Sequence, residues 1–555
     1  MSNEAKQKTE VEDIKRRSNF LRGDISRELD NDLAQVSNEA EQILKFHGIY
    51  AQDNRDVRRE RALKGQELDY IFMIRVVVPG GKLSSEQWLA LDRVASNQAD
   101  GSIRLTTRQA VQFHGVVKDG LRPLALSVDA ELMTSFGACG DVVRNVVSCP
   151  NLQSDGADLH LTEITHHLAQ TFRATTEAHW EIFVNGDKAA ARVDVAERPF
   201  YGDTYLPRKF KIGVAHPQDN CVDVFAQDLG LIPGSLDGVG PGFNVLVGGG
   251  LGRSYASDDT FSRLADPMAF VTYDEVDEVV AAVITTYRDL GDRTDRKRAR
   301  LKYVVADMGF EQFRKEIEVR LGRELRAPLA IPAHFDANDH LGWLELSDGS
   351  YQLGVRVSAG RVRDDDVTRL RSALRLIAQS VPVTFYITTQ QDILISRVAE
   401  RDRARVEEIL TSHLVRGENE LGVVERTALA CPALPTCGQA LTEAERRLPE
   451  LVGTIEGELG KRQLGRRSLQ LRMTGCPNGC ARPAVAEVGI VGRTKSTYDV
   501  YVGGGTRGDR LATLYREKVK FDEIAVVLGP LFDRWEHEGE DDESFGDFMH
   551  RVGVQ

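Results

Sequence analysis

Four cysteines fall in two close pairs, Cys431-Pro-Ala-Leu-Pro-Thr-Cys437 and Cys476-Pro-Asn-Gly-Cys480. Four thiolates converging from two loops can hold a [4Fe-4S] cluster. Pro432, Pro435 and Pro477 fix φ where the chain must turn. Gly475 and Gly479 let the backbone come close and aim amide N–H groups at the sulfurs. Structural zinc is the alternative, but its pairs are usually C-x2-4-C around a compact knuckle, which a C-x5-C holding two prolines matches poorly. Disulfides fit less well still. The first ten residues contain no apolar stretch that would direct export, and seven cysteines in 555 residues are too few for a disulfide scaffold. The expectation is a cytoplasmic redox protein.

Cationic residues form the second group. From Arg104 a strand is expected with Arg104, Thr106, Arg108, Ala110, Gln112 and His114 on one face, because strand side chains repeat every two residues. Leu105, Val111 and Phe113 then pack inward. Lys209 and Lys211 also share a face if Tyr205–Lys211 is extended. Arg75 and Arg144 complete the set. Two arginines with Gln and His on one face suit an anion, although a solvated edge strand is the commoner use of such alternation.

The elements that must position these residues come in duplicate. Residues 74–116 and 353–398 both read as strand, helix, strand, and Thr106-Thr-Arg-Gln109 matches Thr388-Thr-Gln-Gln391. Phe243-Asn-Val-Leu-Val-Gly-Gly-Gly250 likewise matches Tyr498-Asp-Val-Tyr-Val-Gly-Gly-Gly505. Two echoes in the same order predict two copies of one unit, with a shared cleft between them. A chain of 555 residues exceeds one hydrophobic core and should divide into several domains. No apolar run is long enough to span a membrane, and a net charge of −13 argues against general nucleic-acid binding. Glu10–Arg17 and Ile284–Arg326 read as helical, and the T-x-x-E at Thr442–Glu445 predicts a helix starting near Leu441.

With these motifs in view, the chain resembles the sirohaem-containing assimilatory sulfite reductases, of both the ferredoxin type and the haemoprotein subunit of the NADPH type. The segments that carry the resemblance include Arg17-Ser-Asn-Phe-Leu-Arg22, Lys45-Phe-His-Gly-Ile-Tyr50, Arg104-Leu-Thr-Thr-Arg-Gln109, Leu206-Pro-Arg-Lys-Phe-Lys211, Asp292-Arg-Thr-Asp-Arg-Lys297, Gly475-Cys-Pro-Asn-Gly-Cys480 and Glu543-Ser-Phe-Gly-Asp547. The resemblance implies an α+β, pseudo-two-fold nitrite/sulfite reductase fold. Its parts would be an N-terminal arm (1–68), a first ferredoxin-like half-domain (69–137), a first sirohaem domain (138–335), a second half-domain (336–415) and a [4Fe-4S]/sirohaem domain (416–555).

It further implies that Cys431, Cys437, Cys476 and Cys480 ligate the cluster, with Cys480 bridging to the sirohaem iron. Arg75, Arg144, Lys209 and Lys211 would bind sulfite, while Arg104, Arg108, Gln112, His114 and Asn478 would face the sirohaem. Sirohaem carries eight carboxylates, so its pocket needs cations, and arginine binds carboxylates bidentately. The implied reaction is the six-electron reduction of sulfite to sulfide. Nitrite is the alternative substrate, since nitrite reductases share the fold and tend to carry Asn at the position of Lys211.

Gly503-Gly-Gly-Thr-Arg-Gly508 formally matches G-x-G-x-x-G, but no βαβ unit is expected after it, and a lone match is weak. No nucleotide site is therefore expected. Electrons would come from a separate ferredoxin or flavoprotein reductase. Some relatives join a tyrosine and a cysteine by a thioether. Tyr70 and Cys139, each five residues before an arginine of the sulfite set, are the candidate pair, and both are expected to be unmodified. Two other classes remain, an iron–sulfur or zinc scaffold without catalysis and an NADPH oxidoreductase built on Gly503–Gly508. The first leaves the cations unexplained and the second leaves the cysteines idle.

Overall fold

A computed structural model describes residues 7–150, 161–175, 181–184, 187–191 and 200–554. The Thr-Thr-x-Gln segments do not continue a strand. They are tight turns between Ile103–Leu105 and Val111–Val116 in one copy, and between Thr384–Ile387 and Ile393–Val398 in the other. Thr106 Oγ1 accepts from the amides of Arg108 and Ala110, and Thr388 Oγ1 accepts from those of Gln390 and Asp392. The fourth residue of each turn, Gln109 or Gln391, has a positive φ. The expected single face from Arg104 to His114 is therefore folded back on itself, which puts Arg104 opposite Gln112 in the antiparallel ladder. Leu105, Val111 and Phe113 are fully buried, as their alternation predicts.

These hairpins belong to two small antiparallel sheets of the same order. One runs Ile49–Asp53, Tyr70–Val76, Val111–Val116, Ile103–Leu105. The other runs Gly342–Glu345, Tyr351–Val355, Ile393–Val398, Thr384–Ile387. The N-terminal arm thus supplies the outer strand of the first sheet. Each sheet is completed by a short strand of the other copy: Arg361–Val362 pairs with Ile103–Arg104, and Lys82–Ser84 pairs with Thr384–Tyr386. Both exchanged strands follow a 3-10 turn with positive-φ residues, Gly80 and Gly81 in one copy and Ala359 and Gly360 in the other. A Cβ on Gly81 would lie 2.2 Å from the Ile387 carbonyl, and one on Gly360 would lie 2.5 Å from that of Leu105, so only glycine permits the crossing.

The helices Ser85–Gln98 and Leu370–Ser380 lie together beneath the two sheets. The first opens with a reciprocal cap between Ser84 and Gln87. Arg371 and Arg375 of the second both bond Asp92 of the first. One continuous core, including Phe72, Trp88, Phe113, Val355, Phe385 and Ile395, serves both small sheets.

The two larger units repeat the symmetry. The first sheet runs Val147–Ser148, Ile212–Val214, Leu229–Leu236, Gly240–Val247, Asp266–Thr272, and the second runs Leu429–Ala430, Leu471–Thr474, Val488–Gly492, Thr497–Val502, Thr513–Lys520. In both, the first three strands are parallel and the last two antiparallel. Gly248 and Gly503 end equivalent strands with positive φ, and a Cβ on Gly249 or Gly504 would collide with a backbone carbonyl at 2.2 or 2.3 Å. The strand after Gly503–Gly508 runs antiparallel to the one before it, so the glycines open no βαβ unit. The helix predicted from Leu441 begins instead at Leu448, and Glu445 is drawn into an ion pair described below. Among the described residues no helix is long and apolar enough to cross a membrane.

Candidate active site between the two halves

Cys431 follows the first strand of the second large sheet, and Cys476 and Cys480 follow its second strand. Burial raises the Cys431 thiol well above its ordinary value and pushes Cys476 up to about 12, and the other cysteines of the set add to both shifts. Mutual repulsion of this kind means that the four sulfurs face one space. No three of them lie within 4.8 Å of one another, the spacing at which a single metal ion would gather its ligands. Gly475 N–H donates to Cys431 Sγ at 3.3 Å, as the glycine pattern suggests. Arg55, which sequence reasoning missed, donates to the carbonyls of Cys437 and Ala440 and pins that loop.

The exposed Cys480 opens onto a cavity lined also by Thr107, Arg108, Lys211, Gln227, Asn478 and Arg482. Thr107 Oγ1 donates to the Cys480 carbonyl at 3.0 Å, so the first Thr-Thr-x-Gln turn holds the cysteine loop directly. Arg482 donates to the carbonyls of Thr107 and Thr389, reaching both turns at once. Its charge is matched by Asp223, which also binds Arg472.

The predicted cations separate into two kinds. Arg108 donates to Gln227 Oε1 and to the carbonyls of Asn145 and Ile212. Arg144 donates to the carbonyls of Gly140 and Ala138. Arg75 donates to Cys139 Sγ at 3.0 Å and, with the Gln112 amide oxygen turned toward it, to Gln112. All these acceptors are neutral groups. Lys209 and Lys211 have no hydrogen-bonding or ion-pairing partner for Nζ among the described residues. Burial, reinforced by Arg300 and Arg208, brings the Lys209 ammonium down to about 7. Burial and then Lys209 lower Lys211 well below its usual range, and burial and then Arg144 bring Arg108 down to about 9. Five cations, Arg144 buried and the other four part-buried, thus lie together with no ion pair to a carboxylate among the described residues; the nearby Asp228 is paired with Arg300.

Arg104 behaves differently. It is fully buried, with Nε 3.1 Å from Glu445 and Nη2 on the Ala430 carbonyl, next to Cys431. Arg361, on the strand exchanged from the other copy, completes the pair with Glu445. Arg104 therefore braces the strand end that leads into Cys431. Both ring nitrogens of buried His114 lack partners among the described residues, and burial holds it neutral. The phenol hydrogen-bonded to Cys139 is that of the half-buried Tyr50. Tyr70, the tyrosine that the spacing singles out, starts the strand five residues before Arg75, about 17 Å away along an extended chain.

The comparisons with known proteins agree with this geometry. Residues 163–325 and 423–555 both match the family described as nitrite and sulphite reductase 4Fe-4S domain, and residues 64–129 match the nitrite/sulfite reductase ferredoxin-like half domain. The sulfite reductase [NADPH] hemoprotein beta-component of Geobacillus thermodenitrificans is 42% identical over 98% of this chain and 96% of its own. The protein of the same name from Myxococcus xanthus is 42% identical over 100% of this chain and 98% of its own. The solved structure of the Mycobacterium tuberculosis NirA protein superposes with a TM-score of 0.80 over 99% of this chain and 97% of that one, at 23% identity, and so shares the fold. The four thiols, the unpaired cations and the duplicated sheets have a common explanation: this chain belongs to the nitrite and sulphite reductase family.

Proposed function

We infer that this protein is a sulfite reductase that converts sulfite to sulfide in six one-electron steps. The observation that carries the reading is the group of five cations, Arg144 buried and Arg75, Arg108, Lys209 and Lys211 part-buried, none with a carboxylate ion-pair partner among the described residues. Unpaired buried charge is costly, and here the surroundings leave it to be matched by anions from outside the chain. A cofactor with many carboxylates and an anionic substrate are such anions. The donor set fits both groups of the family. Cys431, Cys437, Cys476 and Cys480 would hold the [4Fe-4S] cluster. Arg108, Gln112, His114 and Asn478 would hold the sirohaem, with Arg104 acting one layer behind.

When bound, the sirohaem and cluster would supply the electrons, one at a time, for the reduction of sulfite. The chain supplies everything else. Arg75 and Arg144 are fixed by neutral acceptors in orientations that leave their charge uncompensated, and they attract sulfite while polarising its S–O bonds. Burial brings Lys209 down to about 7 and lowers Lys211 well below its usual range, so both ammonium groups give up a proton more readily than an exposed lysine and can protonate the oxygen atoms that depart as water. Cys139 and Gln112 keep the Arg75 guanidinium from turning away.

A separate flavoprotein that draws on NADPH is the electron source we favour over ferredoxin. The relatives' names include NADPH and designate a beta-component, and no dinucleotide fold surrounds Gly503–Gly508.

Anaerobic assay with reduced viologen, offering sulfite and nitrite in parallel, tests the reading. Sulfide should form with the higher kcat/KM. Predominant ammonia would transfer the assignment to nitrite. Activity toward neither, in protein shown to contain sirohaem, would overturn the roles given to the cations.

A further inference from the structure

The pseudo-two-fold relation can be followed atom by atom into the first half, where it leads to a second group of metal-ligating side chains. Cys431 follows the first strand of its large sheet and donates its N–H to the Met473 carbonyl. Cys149 follows the first strand of the other sheet and donates to the Val214 carbonyl. The Cys480 carbonyl accepts from Thr107 of the first turn, and the Cys221 carbonyl accepts from Thr389 of the second. Two residues beyond each cysteine, Arg482 and Asp223 both have positive φ and both precede a 3-10 turn. The two then pair with each other. Cys149 and Cys221 are thus the counterparts of Cys431 and Cys480.

Around them the first half has built a smaller cage. The ligand atoms of Cys149, Cys221, Asp219 and His340 all lie within 4.8 Å of one another. Cys149 Sγ is 3.5 Å from Asp219 Oδ2 and 3.9 Å from His340 Nε2, and that nitrogen is 3.2 Å from Asp219 Oδ2. The edges of a zinc tetrahedron made from sulfur, nitrogen and oxygen ligands are about 3.3 to 3.8 Å, as follows from metal–ligand bonds of about 2.0 to 2.3 Å. Asp219 is also oriented for such a role. Its Oδ1 accepts from the amides of Cys221 and Asn338, which leaves Oδ2 facing the other ligands. His340 is held at a positive φ, a conformation that persists in a non-glycine residue only where its surroundings fix it.

We propose that Cys149, Asp219, Cys221 and His340 form a structural mononuclear site for a divalent zinc ion, at the position in the first half that corresponds to the cluster in the second. Two thiolates, one neutral imidazole and one carboxylate around a divalent ion make a closed tetrahedron of net charge about −1 with no open position for catalysis. Its role is positional. His340 lies just before Gly342–Glu345, the outer strand of the second small sheet, whereas the other three ligands belong to the first large unit. The ion would tie that connector to the loop that carries Asp223 and Gln227, the partners of Arg482 and Arg108.

The test is metal analysis of the holoenzyme purified without chelators, followed by X-ray absorption at the zinc edge, where the iron of the cofactors does not interfere. We expect about one zinc per chain, with two sulfur ligands at about 2.3 Å and two nitrogen or oxygen ligands at about 2.0 Å. Cys221→Ser and His340→Asn, made separately, should each lose most of the zinc while retaining the cluster iron and its visible absorption. Absence of zinc from the wild-type holoenzyme would overturn the proposal, as would a four-nitrogen/oxygen shell or zinc retained in both variants. The wild-type spectrum gives this answer even if a variant fails to fold.

Discussion

At the residue scale, what separates the site from ordinary surface charge is the lack of local compensation. Lys209 is the clearest case. A lysine in an unfolded chain keeps its proton to about 10.5, whereas in the folded, anion-free pocket it releases it near 7. Between those values the unfolded state binds more protons, so this residue makes the cofactor-free protein more stable as pH rises from 7 toward 10. Thermal melts across that range should show a shallower rise in Lys209→Met than in wild type. The variant should also be more stable at pH 7 by roughly 1 to 3 kcal/mol, and it should lose most sulfite reduction. Equal slopes would show that Lys209 carries no such proton. Lys211→Asn tests selectivity at the same scale. It should lower kcat/KM for sulfite at least about tenfold more than for nitrite, a difference of about 1.4 kcal/mol in transition-state binding. Cysteine spacing and the basic motifs make these residues legible in the sequence alone. Arg55, Arg361 and Arg482 are not legible there, because their partners are backbone carbonyls or an acid more than 80 residues away, and a lone arginine has no pattern. The ion pair of Arg104 is illegible for the same reason, since nothing near it in the chain announces Glu445.

At the element scale, the repeated Thr-Thr-x-Gln reads as part of a strand when it is the turn that ends one. Alternation survives a tight hairpin when the turn residues are polar, so periodicity alone cannot detect the reversal. The T-x-x-E signal fails similarly, because Glu445 pairs with the buried Arg104 and the part-buried Arg361 rather than with a helix terminus. The exchanged strands set the strongest demand on local sequence. Gly360→Ala would place a methyl group against the Leu105 carbonyl and the Arg104 guanidinium at a positive φ. It should destabilise the protein by about 2 to 4 kcal/mol, measured by denaturant unfolding, and weaken cluster retention through Arg104 and Glu445. Gly457→Ala is the contrast. It lies in the helix Leu448–Lys461 with open space around its Cα and should be neutral or stabilising.

At the scale of the whole molecule, the internal echoes foretell two copies of one unit but not how they join. Strand exchange depends on pairing between residues more than 250 positions apart, which no local pattern encodes. Asp223 and Arg482 show what the join requires. The Asp223 carboxylate serves both Arg472 and Arg482, so Asp223→Asn would leave two arginines buried and unmatched. Breaking such a pair costs about 3 to 5 kcal/mol, and the loss should appear as a lowered melting temperature together with poorer cofactor retention. The exchanged strands have a further consequence for the chain's history. Either half alone would present a small sheet missing its last strand, with unpaired amides and carbonyls along an open edge. A second identical half could supply that strand, and the first could return the favour. The present chain has the geometry of a reciprocal homodimer whose subunits were later fused, leaving each half free to diverge, one toward the cluster and the other toward a smaller cage of ligands.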